Sequence, residues 1–491
     1  MDDTGGSFEA PMSFAGDSPR GFLVLYCSFV DGIDRGIQVP LLYTLKTNFH
    51  LSQIAASAVI GVSLSPWLAK PILALITDSI PIGGLKRRPY IIGSAALNAV
   101  SLSLIAYASI HHVGGWMLPM LLLTLRTFGR AMIDAAAQGL LLEDCRGPSG
   151  LENDQSKTSV LVSRFQAAHR LGQFLNVVAS GYVMATSSLE PIYMTMAAVH
   201  VGTMLLAWST PEETVAAAPS ELSLMDEIRT TIPAKISELN RVMASTPAFS
   251  NVLEYAFLSV VVPSYEAPMT YYLLDARHFS PASISIVNIV QTTGSLIAPV
   301  IYSSLFQRTK YSSSMMGLTI ASIPASLMPI VISSGLAAHW GLNEVVYASA
   351  SAFTLTLIND LQMLPAHVLV AQLAPKGFEG TSLSLLTVVE GTGRVVSNVI
   401  SATTPYAIGA VAPAYKHMSL YIALCTVFNV GPIGAIEGFD EIGRPSSVTI
   451  EDADDEVPTL GGVMKDLQGA ASPLSVDSDA SPVSQVNIRR D

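Results

Sequence analysis

Between Thr124 and Gln138 the chain reads Thr-Leu-Arg-Thr-Phe-Gly-Arg-Ala-Met-Ile-Asp-Ala-Ala-Ala-Gln, which sets Arg126, Arg130, Asp134 and Gln138 four residues apart. On a helix that interval lays the four side chains along one slowly drifting face. Such a face can grip an anion, carry a proton, or neutralise itself through an Arg130–Asp134 ion pair, and spacing alone leaves all three open. Glu390 and Arg394 repeat the interval beside Gly391 and Gly393, small residues that permit close helix approach or local unwinding. Here too the choice lies between an internal ion pair and an arginine that holds a carboxylate through both prongs of its guanidinium. A third group, Gln166, His169, Arg170, Gln173 and Asn176, falls mostly on one helical face, with Arg164 near enough to the surface to snorkel.

A charge at mid-bilayer depth costs roughly 2.5–3.5 kcal/mol on insertion scales, so each ionisable residue in an apolar run calls for a function or a partner. Further acids of this kind are Asp31, Asp34, Glu254, Glu266 and Asp360. Asp134, Glu390, Asp31 and Glu254 are candidates for carrying a coupling proton, provided that burial lifts a carboxylic acid towards neutrality. Asp31, Asp34 and Arg35 are also close enough along one turn to neutralise each other. Lys70 sits where a lysine is expected to snorkel. Enzyme chemistry finds little support, because no G-x-x-x-x-G-K-[ST] phosphate loop, H-E-x-x-H pair or Gly-rich dinucleotide fingerprint occurs. Cys27, Cys145 and Cys425 show neither metal-site spacing nor a disulfide framework and read as inert, and His111 and His112 read as solvated.

The elements that carry these residues need a lipid solvent. Of 491 residues, 50% are hydrophobic and 13% charged, against roughly 25% charged in soluble domains, and mean hydropathy is +0.46. Apolar blocks near the roughly 20 residues that cross a bilayer lie at about 21–45, 53–77, 89–110, 115–142, 158–186 and 189–208. A second set lies at about 247–274, 280–305, 313–335, 343–371, 378–409 and 417–436. Lipid tolerates no unpaired backbone, and long apolar runs favour helices over period-two strands. The expected fold class is therefore an all-α polytopic membrane protein with twelve transmembrane helices in two six-helix halves, 21–208 and 247–436.

Residues 1–20 read as an N-terminal segment without the basic start of a signal peptide. Residues 209–246 read as a polar linker in which Leu222, Met225, Ile228 and Ile232 can share one face of a surface helix. Residues 437–491 read as a disordered acidic tail, and Glu451, Asp452, Asp454, Asp455 and Glu456 supply much of the net charge of −12. That charge gives no reason to expect a nucleic-acid partner.

Lys86, Arg87, Arg88, Arg146, Lys157, Arg308, Lys310 and Lys376 all fall in even-numbered connections, whereas the odd ones hold chiefly Lys46, Arg277 and Lys416. The positive-inside rule then sets both termini and the linker on the cytoplasmic side. Two six-helix halves joined by a cytoplasmic linker are the layout of the major facilitator fold, whose solute site lies near the midplane between the halves. Asp78, a tight Pro/Gly turn and Arg87-Arg88 suit a gating loop that locks one conformation through a salt bridge and a helix dipole. The same basic residues also set topology and touch anionic lipid.

Two segments carry a family resemblance. Pro66-Trp67-Leu68-Ala69-Lys70-Pro71, followed by Thr77-Asp78-Ser79-Ile80-Pro81-Ile82-Gly83-Gly84-Leu85-Lys86-Arg87-Arg88-Pro89-Tyr90, resembles the second-to-third-span signature of the folate-biopterin transporter family. Ala374-Pro375-Lys376-Gly377-Phe378-Glu379-Gly380-Thr381 resembles its loop between spans ten and eleven, and Asp134 and Glu143 match its span-four acids. Gln138 stands where the family has a second aspartate, and Glu390 near a family asparagine. The resemblance covers about residues 20–436 and implies a secondary transporter of folates or pterins, or of another organic ion such as S-adenosylmethionine, working by alternating access with no cofactor. A folate offers carboxylates to arginine and a flat ring to aromatics, which makes Arg126, Arg130, Arg170 and Arg394 candidate anchors and Tyr265, Tyr271 and Tyr272 candidate platforms. The residues themselves leave open a cationic solute held by Asp31, Asp134, Glu254 and Glu390, and a non-transporting receptor or scaffold.

Overall fold

The computed structural model describes residues 18–35, 41, 44–45, 48–49, 51, 59–111, 113, 115–146, 155–186, 190–212, 224–410 and 415–436. The acidic tail, most of the N-terminal segment and Leu222 lie outside the described residues. Regular structure within them is helical, with one isolated antiparallel bridge between Ile82 and Leu85. The first half contributes α1 (Pro19–Arg35), α2 (Lys70–Ser79), α3 (Arg88–His111), α4 (Met117–Arg146), α5 (Gln155–Thr186) and α6 (Glu190–Ser209). The linker forms α7 (Leu224–Ser245). The second half contributes α8 (Pro247–Val260), α9 (Glu266–Asp275), α10 (Pro281–Ile301), α11 (Tyr311–Leu327), α12 (Glu344–Leu373), α13 (Glu379–Ile408) and α14 (Met418–Phe428).

Among the described residues, eight helical stretches are long and apolar enough to cross a bilayer. The other expected spans differ for visible reasons. Arginines and acids interrupt α4, Arg164, His169 and Arg170 interrupt α5, and α1 is described only to Arg35. The span expected at about 247–274 is broken between Val260 and Glu266, where Pro263 has no N–H to donate. In lipid the freed backbone groups need partners from neighbouring helices. Ser264 N–H donates to Ser401 Oγ at 2.7 Å, Ser397 Oγ donates to the Val262 carbonyl at 2.5 Å, and the Tyr421 hydroxyl donates to the Ser264 carbonyl at 3.0 Å. Helix starts elsewhere follow local chemistry: Asn343 caps α12 by accepting from Val345 and Val346 N–H at 3.0 and 3.2 Å.

Helix α1 crosses α5 at two glycines that face each other's backbone. A Cβ on Gly32 would lie 2.0 Å from the His169 carbonyl oxygen, and one on Gly172 would lie 2.1 Å from that of Phe29. This close approach carries Asp31 and Asp34 into the first half's interior, where both are buried. The halves meet where α13 packs on α2 and α4, and where α5 packs on α10 and α12. One apolar core bridges that seam, joining Ala136 and Leu140 of α4 with Leu364 of α12 and Leu383 and Leu386 of α13. The linker helix buries Ile232 and Leu239 against Leu75, Ile80 and Phe378, and so rests on both halves.

Candidate functional site

The ionisable residues sort into three groups. In the first, α4 faces α1. Arg126 Nη2 stands 2.8 Å from Asp34 Oδ1, Arg130 Nη2 lies 2.6 Å from Asp31 Oδ1, and Arg130 Nε lies 3.0 Å from Asp34 Oδ2. His169 Nδ1 and His200 Nε2 close the group at 3.4 Å from Asp31 and 3.2 Å from Asp34. Arg126 and Arg130 are 4% and 7% exposed, so little of either remains to meet a solute. The Arg130–Asp134 pair allowed by spacing does not form, because Arg130 turns to α1 and Asp134 turns to Lys70. Lys70 is not a snorkelling residue: it is fully buried, with Nζ 2.6 Å from Asp134, 3.0 Å from Gln138 Oε1 and 3.2 Å from Thr387 Oγ1 of the second half. The Trp67 ring covers this ammonium and the Arg130 guanidinium at 5.3 and 5.6 Å. Arg35 does reach Asp31, at 3.6 Å, but the closest partner of that acid is Arg130 of α4, at 2.6 Å.

The second group ties the halves together at the end of the bundle that carries the loop from Ile80 to Arg87. Asp78 lies 2.7 Å from Arg87 Nη1 and accepts from Gly380 N–H at 3.2 Å, Thr381 N–H at 2.9 Å and Thr381 Oγ1 at 2.8 Å. Those donors form the N-terminus of α13, where aligned peptide dipoles favour an anion. Arg87 also reaches Glu143 at 2.9 Å and Glu379 at 3.7 Å, and Arg146 pairs with Glu379 and donates to the Ala374 carbonyl. Burial opposes the Arg87 charge, but Asp78, Glu143 and Glu379 more than offset this and hold its guanidinium above the ordinary arginine value. Gly139 makes room for it, since a Cβ there would lie 1.5 Å from Arg87 Nη1. Arg88 stands apart: its guanidinium donates to the Trp208 carbonyl, and Glu212 accepts from the Arg87 and Arg88 N–H groups at 2.9 and 3.0 Å.

The third group surrounds a cavity of about 480 Å³ lined by Arg170, Glu266, Gln291, Asp360 and Arg394, among others. The broken segment from Val262 to Glu266 supplies part of its wall. Arg170 of α5 meets Asp360 of α12 at 2.8 Å, across the two halves. Glu390, buried on α13, lies 3.4 Å from both His367 Nε2 and Arg394 Nη2, and the Arg394 side chain is 57% exposed. Serines and amides, including Asn359, Asn398 and Asn429, complete a largely polar lining. Of the four arginines expected to anchor a solute, this cavity brings together Arg170 and Arg394 alone. Glu254 is exposed on α8 and joins none of the groups. Tyr265 lines the cavity, with its hydroxyl donating to the Ser326 carbonyl at 3.0 Å, whereas Tyr272 is buried edge-on against Tyr415 and Tyr271 is 61% exposed.

Sequence reasoning missed His200 and the inter-half role of Lys70. The only signal for His200 was an ionisable residue in the apolar run of α6. Lys70 lay in a recognised motif, but its partners are 64 or more residues away in sequence and emerge only on packing.

The long apolar helices, with ion pairs buried among them and a polar cavity walled chiefly by the second half and reached by Arg170 of the first, are those of a multi-pass membrane transporter fold. The chain belongs to the BT1 family, whose model matches residues 31–436. It is 20% identical over 402 residues to folate transporter 2 of Plasmodium falciparum (isolate 3D7), covering 81% of this chain and 83% of that protein. It is 23% identical over 422 residues to the folate-biopterin transporter of Synechocystis sp. (strain ATCC 27184 / PCC 6803 / Kazusa), covering 85% and 81%. The fold is that of the major facilitator superfamily: the proton:xylose symporter XylE superposes with a TM-score of 0.58 at 14% identity, over 86% of this chain and 95% of that one.

Proposed function

We propose that this protein carries folate or pterin-type organic anions across a cell membrane by alternating access, with both termini cytoplasmic. The observation that carries the reading is the inter-half cavity furnished with Arg170 from one half and Arg394 from the other, two cations suited to carboxylates. The names of the family relatives point to the same solute class. In this reading the Asp78–Arg87–Glu379 network closes the cytoplasmic side while the cavity faces outward, and rocking of the halves exchanges the two states. Proton coupling falls to Asp134, held by Lys70 at 2.6 Å, and to Glu390, set between His367 and Arg394. Asp31 is too fully engaged by Arg130, Arg35 and His169 to release and regain a proton in each cycle.

Uptake of labelled folate into transport-deficient cells expressing the chain tests the proposal. Saturable accumulation, suppressed by unlabelled folate or biopterin and driven by an inward proton gradient, is expected. Uptake unchanged by excess unlabelled folate contradicts the solute assignment, and indifference to protonophores removes the coupling.

A further inference from the structure

We infer that Asp360 is a built-in competitor for the solute's carboxylate, holding Arg170 across the two halves until an anion displaces it. The inference rests on the organic-anion reading above. Arg170 and Asp360 both line the cavity, and their side chains are 25% and 20% exposed, so a solute in the cavity can reach the pair. The contact is single-pronged. Arg170 gives Nη2 to Asp360 Oδ1 at 2.8 Å and turns Nη1 to Gln173 at 3.1 Å, while Asp360 Oδ2 is buried without a hydrogen bond among the described residues. A carboxylate that takes both prongs of a guanidinium makes a stronger, better-aligned contact than this. Arg130 provides the contrast: two aspartates hold it at 2.6 and 3.0 Å and it is 7% exposed, so no solute can trade places with its partners.

Displacing Asp360 does more than seat a ligand. The pair joins α5 of one half to α12 of the other, so an anion that takes Arg170 also removes one of the ties between the halves. A ligand shifts a conformational equilibrium only through such a difference in contacts between states. Arg394, exposed on α13 in the same cavity, offers a second cation to a solute with two carboxylates, as the glutamate portion of folate has. When the solute leaves, Asp360 retakes Arg170 and opposes rebinding. A neutral pterin has no carboxylate with which to compete, and it therefore gains nothing from the loss of Asp360.

The test is a titration of the purified full chain and its Asp360→Asn variant with folate and, separately, with biopterin. Asp360→Asn is expected to bind folate about tenfold more tightly, equivalent to roughly 1.4 kcal/mol, with biopterin affinity unchanged and folate turnover in vesicles reduced because release is slowed. Folate binding that is equal in the two proteins overturns the inference and leaves the organic-anion reading standing. Equal tightening of folate and biopterin overturns it as well, since that pattern marks a general loosening of the cavity. Binding of folate to neither protein refutes the organic-anion reading, and the inference falls with it. Should Asp360→Asn not fold, spin labels on α5 and α12 of the otherwise unaltered chain supply a second readout. Saturating folate is expected to change their separation and biopterin to leave it as it was, and an unchanged separation with folate bound overturns the inference.

Discussion

The interior of the first half and the wall of the central cavity both hold arginines beside acids within an apolar bundle, yet they differ in what is left over. Around Asp31 and Asp34 the charges are buried and their partners are close and numerous. Around Asp360 and Glu390 the contacts are fewer, 2.8 Å for one and 3.4 Å for the other, and the arginines reach open space. In the proposed reading, a charge in this membrane bundle can serve a solute only where some of its hydrogen-bonding capacity faces a cavity. A fully engaged charge holds helices together instead.

The largest effect is expected on breaking the self-contained cluster. Asp34→Asn strands Arg126 and leaves Arg130 with Asp31, and removing one partner of a buried pair costs roughly 3–5 kcal/mol. Thermal unfolding of the purified protein and its abundance in the membrane are both expected to fall sharply, with much of the loss recovered in the Arg126→Gln/Asp34→Asn double variant. Next comes Gly139→Ala, whose Cβ would collide with Arg87 Nη1 at 1.5 Å. Overpacking of this kind costs about 1–3 kcal/mol, seen as a lower unfolding temperature. Cross-linking of cysteines placed on α2 and α13 is expected to weaken alongside, because Arg87 can no longer serve both Asp78 and Glu379. Arg394→Gln is expected to cost less than about 1 kcal/mol of stability, since Arg394 itself is largely exposed, its contact with Glu390 is long at 3.4 Å, and the buried Glu390 keeps His367 beside it. Glu254→Gln, on an exposed face outside the cavity, is expected to change stability by no more than about 0.5 kcal/mol and to leave uptake unaltered.

Much of the architecture was legible because lipid selects run length and excludes unpaired backbone, so apolar blocks mark helices. The Asp78–Arg87 salt bridge was legible too, since both residues sit in one short motif, whereas Arg88, expected beside it, donates to the Trp208 carbonyl, and the Gly380 and Thr381 donors to Asp78 come from a distant segment. Partner choice was not. Arg130 and Asp134 are neighbours on one helix, yet Gly32 and Gly172 draw α1 in so closely that Arg130 finds Asp31 and Asp34 instead. Lys70 was misread because snorkelling is inferred from depth along one span, whereas α4 and α13 close over it and supply Asp134, Gln138 and Thr387. The apolar run at about 247–274 read as one continuous span, but it breaks at Pro263, and the Ser397, Ser401 and Tyr421 side chains that make the break tolerable lie on other helices.

The most direct test of the division between the two regions is folate uptake, normalised to the amount of protein in the membrane, for Arg394→Gln and for the Arg126→Gln/Asp34→Asn double variant. Arg394→Gln is expected to reach the membrane normally and lose most of its uptake, with Arg394→Lys retaining a weak activity at raised half-saturation because lysine keeps the charge but not the fork. The double variant, once in the membrane, is expected to transport at a rate near that of the unaltered protein. Normal uptake by Arg394→Gln, together with a double variant that is abundant but inactive, would contradict the account and move the solute anchor from the cavity wall to α4.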